Sequence, residues 1–310
     1  MKNSPIGSWR GIVTAAALAL LPLAVSPAQI PSGDKISVKV EMVNILCSVT
    51  DKKGQFVTHL KAADFTVTED GAVQQLENFY SHGNLPLTIC LLVDTSASVA
   101  SKLQFEQEAA SAFLASNIHE KDKALLIEFD SGVTLVQDFT NETDLIARQL
   151  KTLRAAGGTS LYDALFLVSE EKLMWDVGER RKTIIIISDG EDTVSRTPLD
   201  ETLEMVQRAG AIVFAISTNR TGQTANAAEG GDSTLEKFAS ATGGKVYYPT
   251  RIEEVGLAFR EIDQELRSQY SLSYKSSNAK RDGKFHEIKV TVKPKGMKVR
   301  HRKGYYAPKD

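Results

Sequence analysis

Between residues 86 and 267 the chain alternates short, uninterrupted apolar runs with longer stretches of helical periodicity, and few folds accommodate that pattern. A run such as Ile89-Cys90-Leu91-Leu92-Val93, or the consecutive isoleucines Ile184 to Ile187, has no polar face to turn toward water. As a strand it has to be covered on both sides, which is the situation of a parallel sheet between two layers of helices. The spacing predicts strands over 89–93, 124–129, 183–187, 211–216 and 245–248, and helices over 102–115, 143–153, 161–173, 198–208, 233–241 and 252–267. The expected fold class is therefore α/β, built on a doubly wound, mostly parallel sheet. In such sheets ligands bind beyond the carboxyl ends of the strands.

Outside that region the period changes to two. Ile36-Ser37-Val38-Lys39-Val40-Glu41-Met42 alternates, Ile45 to Val49 runs into a turn at Asp51-Lys52-Lys53-Gly54, and Phe65-Thr66-Val67-Thr68 precedes Glu69-Asp70-Gly71. The alternation returns at Tyr270 to Tyr274, at Phe285 to Val292 and from Val299 to Tyr306. A β module of about 45 residues buries little surface alone. The expected arrangement is thus a β-sandwich formed jointly by segments 29–84 and 268–310, with an α/β domain over 85–267 inserted between them.

The first 28 residues are of another kind. Lys2 and Arg10 precede an apolar run from Gly11 to Val25, and Ser26-Pro27-Ala28 places small residues at the −3 and −1 positions of a cleavage site. This reads as a secretory signal peptide, since the run is shorter than the ~20 residues a spanning helix needs. The mature protein is expected to be periplasmic or extracellular, with no transmembrane span after cleavage. A formal net charge of −2 gives nucleic-acid binding no electrostatic support. The basic stretch from Lys289 to Lys303 alternates with apolar residues and is expected to be solvated strand faces. Cys47 and Cys90 both sit in apolar stretches, in different expected domains, and are read as buried free thiols.

Chemistry concentrates at three places, each just past a strand or at a helix start. They are Asp94-Thr95-Ser96-Ala97-Ser98, Gly157-Gly158-Thr159-Ser160 and Ser188-Asp189-Gly190-Glu191. All three should converge on one edge of the sheet. Asp94, Ser96, Ser98, Thr159 and Asp189 offer two carboxylates and three hydroxyls, all hard oxygen ligands, with no His or Cys among them. Such a set suits Mg²⁺, or Mn²⁺ or Ca²⁺, and does not suit zinc. Taken singly, the same residues are as readily helix caps or turn formers. Asp163 is expected to support the site from behind, Asp130 to form a turn before Gly132, and Glu191 and Asp192 to be exposed loop acids. His82, His119, His286 and His301 are expected at the surface.

Asp-x-Ser-x-Ser, a distant Thr, a later Asp-Gly and the Gly157-Gly158-Thr159-x-Leu161-x-Asp163-Ala164-Leu165 surround together resemble the metal-ion-dependent adhesion site of von Willebrand factor A domains. The resemblance covers about 85–267 and implies a Rossmann-like von Willebrand factor A fold. It further implies that Ser96, Ser98 and Thr159 ligate the ion directly while Asp94 and Asp189 hold it mainly through waters. A protein partner's Glu or Asp would fill the open position. The flanks, Val49-Thr50-Asp51-x-x-Gly54 to Glu69-Asp70-Gly71 and Arg302-Lys303-Gly304-Tyr305-Tyr306, resemble a secreted bacterial group of such proteins often met in Acidobacteria.

An enzyme is not expected. Asp94-Thr95-Ser96 has no second copy with which to share a proton, as an aspartic protease requires. Gly158-Thr159-Ser160 resembles a subtilisin-like nucleophile segment but lacks a plausible His partner, and an aspartyl-phosphatase needs Asp where Ser96 stands. An architectural envelope role, in which the ion only stabilises the fold, is the other alternative. The last helix of the region is one that can shift when such a metal site is liganded.

Overall fold

The computed structural model describes residues 42–81, 85–176, 178, 180–219, 229–278 and 280–309. The expected leader, the alternating stretch before Met42 and His82 lie outside the described residues. In chain order the strands and helices are β1 (Met42–Thr50), β2 (Phe65–Glu69), β3 (Ala72–Gln74), β4 (Leu76–Tyr80), β5 (Leu87–Asp94), α1 (Leu103–Asn117), β6 (Lys123–Phe129), β7 (Val133–Thr140), α2 (Thr143–Leu150) and α3 (Leu161–Leu167). There follow β8 (Arg181–Ser188), α4 (Leu199–Ala209), β9 (Ile212–Ser217), α5 (Glu229–Thr242), β10 (Val246–Tyr247), α6 (Val255–Ser268), β11 (Tyr270–Lys275), β12 (Phe285–Val292), β13 (Lys298–His301) and β14 (Gly304–Tyr306).

The central sheet has the order β10-β9-β8-β5-β6-β7. Its strands are parallel except β7, which runs antiparallel at the edge. Every residue of β5 is buried, and consecutive side chains enter opposite cores. Ile89, Leu91 and Val93 pack with Phe113, Phe259 and Ile262 of α1 and α6. Cys90 and Leu92 pack with Leu161, Leu165, Leu235 and Phe238 of α3 and α5. Continuous hydrophobicity is thus the strand's response to two covering layers, and each such side chain contributes roughly 1.5–3 kcal/mol by burial. The rings of Phe113 and Phe259 stack with centroids 4.7 Å apart, fastening α1 to α6.

Two local features differ from the sequence expectation. The edge strand β7 was not expected, because two register shifts against β6 break its alternation. The helix expected over 161–173 changes at Val168 into a π-helical turn, Val168–Leu173, closed by Met174 N donating to Ser169 O at 2.9 Å. The wider turn keeps Val168, Ser169 and Leu173 all buried.

Two antiparallel sheets, β13-β1-β11-β4 and β14-β12-β2-β3, enclose a separate core. Val43, Ile45, Val49 and Leu272 from the first meet Phe65, Val67, Ile288 and Val290 from the second. Strands before and after the α/β layers therefore build one sandwich. Buried Tyr270 ties it to the loop ahead of β2: its hydroxyl donates to Val57 O at 2.8 Å and accepts from Leu60 N at 3.0 Å. Cys47 and Cys90 are buried and unpaired, and burial pushes the Cys47 thiol up to about 12.

His286 and the basic C-terminal stretch depart from the surface roles expected of them. His286 is 6% exposed, and its Nδ1 lies 2.7 Å from Asp70 Oδ2. That hydrogen bond is the main cause holding the Asp70 carboxyl below its usual range. Arg300 pairs with Glu265 of α6, which is 1% exposed and also accepts from Ser48 Oγ of β1 at 2.7 Å. The alternation does put Lys289 in water, but a side chain at the seam between two modules is claimed by the second module, a contact no local period can encode.

Candidate metal centre

The order of the central sheet reverses at β5. The chain runs from β5 to β6 on one side, then crosses back to β8 on the other. Asp94 ends β5, and Asp189 follows Ser188 at the end of neighbouring β8, so both carboxylates stand at the crevice where such sheets receive ligands.

Hydrogen bonds join four of the five expected residues in a line. Asp94 Oδ1 accepts from Ser96 N at 2.8 Å, closing a turn that aims the Ser96 side chain back along the strand end. Ser96 Oγ lies 2.9 Å from Ser98 Oγ, and Ser98 Oγ donates to Asp189 Oδ2 at 2.7 Å. Thr159 enters on a third loop, which backbone bonds zip to the first: Ala97 N donates to Gly157 O at 3.2 Å and Ala156 N to Thr95 O at 2.7 Å. Thr193, beyond Asp189, clasps it from the far side, since Thr159 N donates to Thr193 Oγ1 at 2.9 Å and Thr193 N donates to Thr159 O at 2.9 Å.

Neither Ser98 nor Thr159 is an N-cap: Ser98 lies inside the short 3₁₀ turn Ala97–Val99, whose N-cap is Ser96, and Thr159 precedes Ser160, the N-cap of α3, and neither N-cap makes a side-chain capping bond. Both aspartates do form turns, Asp189 Oδ1 accepting from Glu191 N at 3.1 Å as Asp94 Oδ1 does from Ser96 N. Capping of α3 is done from outside, by Asp192 Oδ1 accepting from Tyr162 N at 3.1 Å and Ser195 Oγ accepting from Asp163 N at 3.1 Å. Asp192 is therefore not simply an exposed loop acid, whereas Glu191 is exposed. Asp163 supports the site at one remove. Its carboxylate accepts from Arg196 N and Thr197 N and holds the loop that carries Thr193. Asp130 forms the expected turn, accepting from Gly132 N at 3.0 Å.

Two contributors escaped the sequence reading. Ser188 Oγ donates to Asp94 Oδ2 at 2.6 Å and accepts from Gly190 N at 2.9 Å, so it fixes the carboxylate and the following loop together. Glu106, 2% exposed, lies on the buried stripe Leu103-Glu106-Ala110 of α1, and both its carboxylate oxygens lack a hydrogen-bond partner. An acid at an apolar phase of a helix was the available signal.

The electrostatics of the pocket are unbalanced. Burial pushes the Asp94 carboxyl up to about 6, opposed by hydrogen bonds from Ser188 and Ser96 and assisted by the charge of Asp189. Burial, then the charge of Asp94, pushes Glu106 up to about 8. Among the described residues neither Asp94 nor Asp189 has a Lys or Arg partner. Buried, mutually repelling carboxylates beside hydroxyls that bond only to one another and to those carboxylates form a donor set that fits a hard dication, which would supply the missing positive charge.

Gly190 shows how tightly the Asp189 loop is held. Its φ is +77°, and a Cβ there would lie 2.3 Å from Gly231 O at the start of α5. Gly190→Ala is expected to cost about 2 kcal/mol or more, through strain and displacement of α5. Denaturant titration measures this, and wild-type stability in the variant would show that the loop yields.

Residues 89–191 match a family described as the von Willebrand factor type A domain, a span that includes all five residues. The solved von Willebrand factor type A protein from Catenulispora acidiphila superposes with a TM-score of 0.51 at 12% identity, covering 85% of this chain and 73% of that one. The protein thus has a von Willebrand factor A fold with additional antiparallel sheets. Among curated proteins, the uncharacterised protein sll0103 of Synechocystis is 26% identical over 185 residues, which is 59% of this chain and 42% of the relative. Calcium-activated chloride channel regulator 3A-1 of Mus musculus is 27% identical over 174 residues, 53% of this chain and 17% of the relative. The chain spans less than half the length of either.

Proposed function

We propose that this protein is an exported module that holds a divalent cation, Mg²⁺ or alternatively Mn²⁺ or Ca²⁺, and presents it to an acidic side chain of a protein partner. The observation that carries the reading is the line Asp94–Ser96–Ser98–Asp189, in which the Ser96 backbone N–H meets Asp94 and the Ser96 and Ser98 hydroxyls lead on to Asp189, joining two buried carboxylates. Ser96, Ser98 and Thr159 would bind the ion directly, and Asp94 and Asp189 would hold it largely through water. When bound, the ion supplies Lewis acidity toward one incoming oxygen ligand. Ser188 keeps Asp94 oriented and Thr193 keeps Thr159 in place. In the same reading, residues 1–28 are a cleaved leader, 85–267 the cation-binding domain, and 29–84 with 268–310 its supporting sandwich.

No catalytic role is proposed. The described residues around the site offer hydroxyls and carboxylates, and no His that would take a proton from Ser96, Ser98 or Ser160. Among the described residues no helix is long and apolar enough to cross a membrane, and export is read from the leader alone.

Calorimetric titration of MgCl₂ or MnCl₂ into EDTA-stripped protein tests the cation. Capture from envelope or secreted fractions, with and without Mg²⁺, tests the partner. Saturable heat and Mg²⁺-dependent capture are expected. Absence of heat with either ion would remove the reading, and capture indifferent to EDTA would transfer binding to the sandwich.

A further inference from the structure

A cavity of about 450 Å³ lies where the central sheet meets the sandwich, at the amino ends of β8 and β9 and thus on the opposite edge from Asp94. Arg180, Arg181, Lys182, Arg208 and Arg302 all contribute to its lining, and no acidic residue does so among the described residues. Its volume falls in the range of small-molecule sites.

The commitments of these cations differ. Lys182 Nζ is turned to Leu173 O at 2.7 Å. Arg180 donates only to neutral acceptors, Thr88 Oγ1, Leu87 O and Lys121 O. Arg181 is 1% exposed and donates to the carbonyls of Leu266 and Leu85. Arg208 is paired with Glu204 at 2.7 Å and lies over the ring of Tyr306.

Arg302 is different again. Its guanidinium has neither an acid nor a side-chain hydrogen bond among the described residues, and its Nε is buried without a partner. It rests over the ring of Tyr305, 5.6 Å from the centroid. Glu69, the acid that Tyr305 itself meets, is already taken by Tyr274 Oη at 2.7 Å, Ser276 Oγ at 2.6 Å and Tyr305 Oη at 3.3 Å. Arg302 as a residue is only partly buried, but its Nε is withdrawn from water, and a guanidinium cannot shed its proton to relieve the missing counter-charge. A planar fork of donors with nothing to grip, on the wall of a cavity, is the geometry that takes an oxyanion in bidentate fashion.

We propose that this cavity is a binding site for a small molecule bearing a phosphate or carboxylate group, anchored by Arg302 and assisted by Arg208. The Tyr305 and Tyr306 side chains give the rest of such a ligand an aromatic wall. The site is independent of the proposed cation centre.

The test uses the mature exported chain and two probes, sodium phosphate and sodium citrate, against sodium chloride at matched ionic strength. At least one probe should raise Tm saturably by about 2–5 °C. Arg302→Gln should weaken that probe's apparent Kd by about tenfold or more, and Arg302→Lys, which keeps the charge but not the fork, by several-fold. The calorimetric response to Mg²⁺ should be unchanged in both. A response to phosphate alone or to citrate alone identifies the head group. Should Arg302→Gln fail to fold, Arg302→Lys and Arg208→Gln carry the comparison, with phosphorus-31 line widths as a second readout. The proposal is overturned if neither anion exceeds chloride, or if the folded variants bind as tightly as wild type.

Discussion

Asp94→Ala is expected to abolish the Mg²⁺ response, lowering apparent affinity by about 100-fold or more, while raising the stability of the metal-free protein. The two effects share a cause. In the absence of an ion, Asp94 is a buried carboxylate whose pKa is pushed up to about 6, chiefly by burial. A folded-state value above the ordinary carboxylate value means that folding favours the protonated form. The metal-free protein should therefore lose stability as pH rises from about 4 through 6, by roughly 1–3 kcal/mol for this group. Bound cation reverses the sign, because the ion needs the carboxylate ionised. Thermal unfolding from pH 4 to 8, with EDTA and with Mg²⁺, should give curves that diverge above pH 6 in wild type and coincide in Asp94→Ala. Coincident wild-type curves would remove Asp94 from any cation site, and undiminished divergence in the variant would do the same.

The second large effect is expected at Glu265. It is 1% exposed on α6, accepts from Ser48 Oγ at 2.7 Å and pairs with Arg300 of β13. Removing one member of a buried pair typically costs 3–5 kcal/mol, because the remaining charge keeps its burial and loses its partner. The Arg300 side chain is 34% exposed and can turn partly to water, so about 2–4 kcal/mol is expected for Glu265→Ala. Glu265→Gln, which preserves the Ser48 contact, should cost less. The measurement is the denaturation midpoint of each variant, and a shift below about 0.5 kcal/mol in Glu265→Ala would show that the seam is held by apolar contacts alone.

The parts legible in the sequence are those with a strong local signature. The central strands β5, β8 and β9 declare themselves as apolar runs, and two of the three loops of the candidate site follow from where β5 and β8 stop. β7 was hidden because its register shifts scramble the two-residue period that would have revealed it. Ser188 was visible but silent, since a serine beside an aspartate gives no hint that its hydroxyl faces another strand's carboxylate. Asp192 was visible and misplaced, and the support Asp163 gives was visible without its route. Their partners are backbone amides of α3 and of the loop after β8, about thirty residues away in sequence. Arg300, Arg302 and His286 were assigned to solvent because alternation reports which face of a strand is apolar and is blind to what packs on its end. The misreadings gather at seams between modules and between loops, where long-range contacts outrank local propensity.

The two-part sandwich also sets a timetable for the chain. Both neighbours of β1 in its sheet, β11 and β13, lie beyond residue 269, so more than two hundred residues separate it from the first strand it pairs with, and only its end is met sooner, by Val57 N donating to Val49 O at 2.8 Å. A chain emerging amino end first carries Met42–Thr50 with most of its backbone unpaired through nearly the whole of its emergence. Closing so long a loop is slow, and an open apolar edge is sticky for as long as it waits. The α/β layers shorten that wait once folded, because Arg181 at the amino end of β8 donates to Leu266 O and so holds the start of β11 in a fixed frame on which β1 can dock. Truncations that spare the cation site but remove the final forty residues would take away β11 almost whole together with β12, β13 and β14, leaving β1 permanently without either of its sheet neighbours, and aggregation during synthesis would be the first symptom.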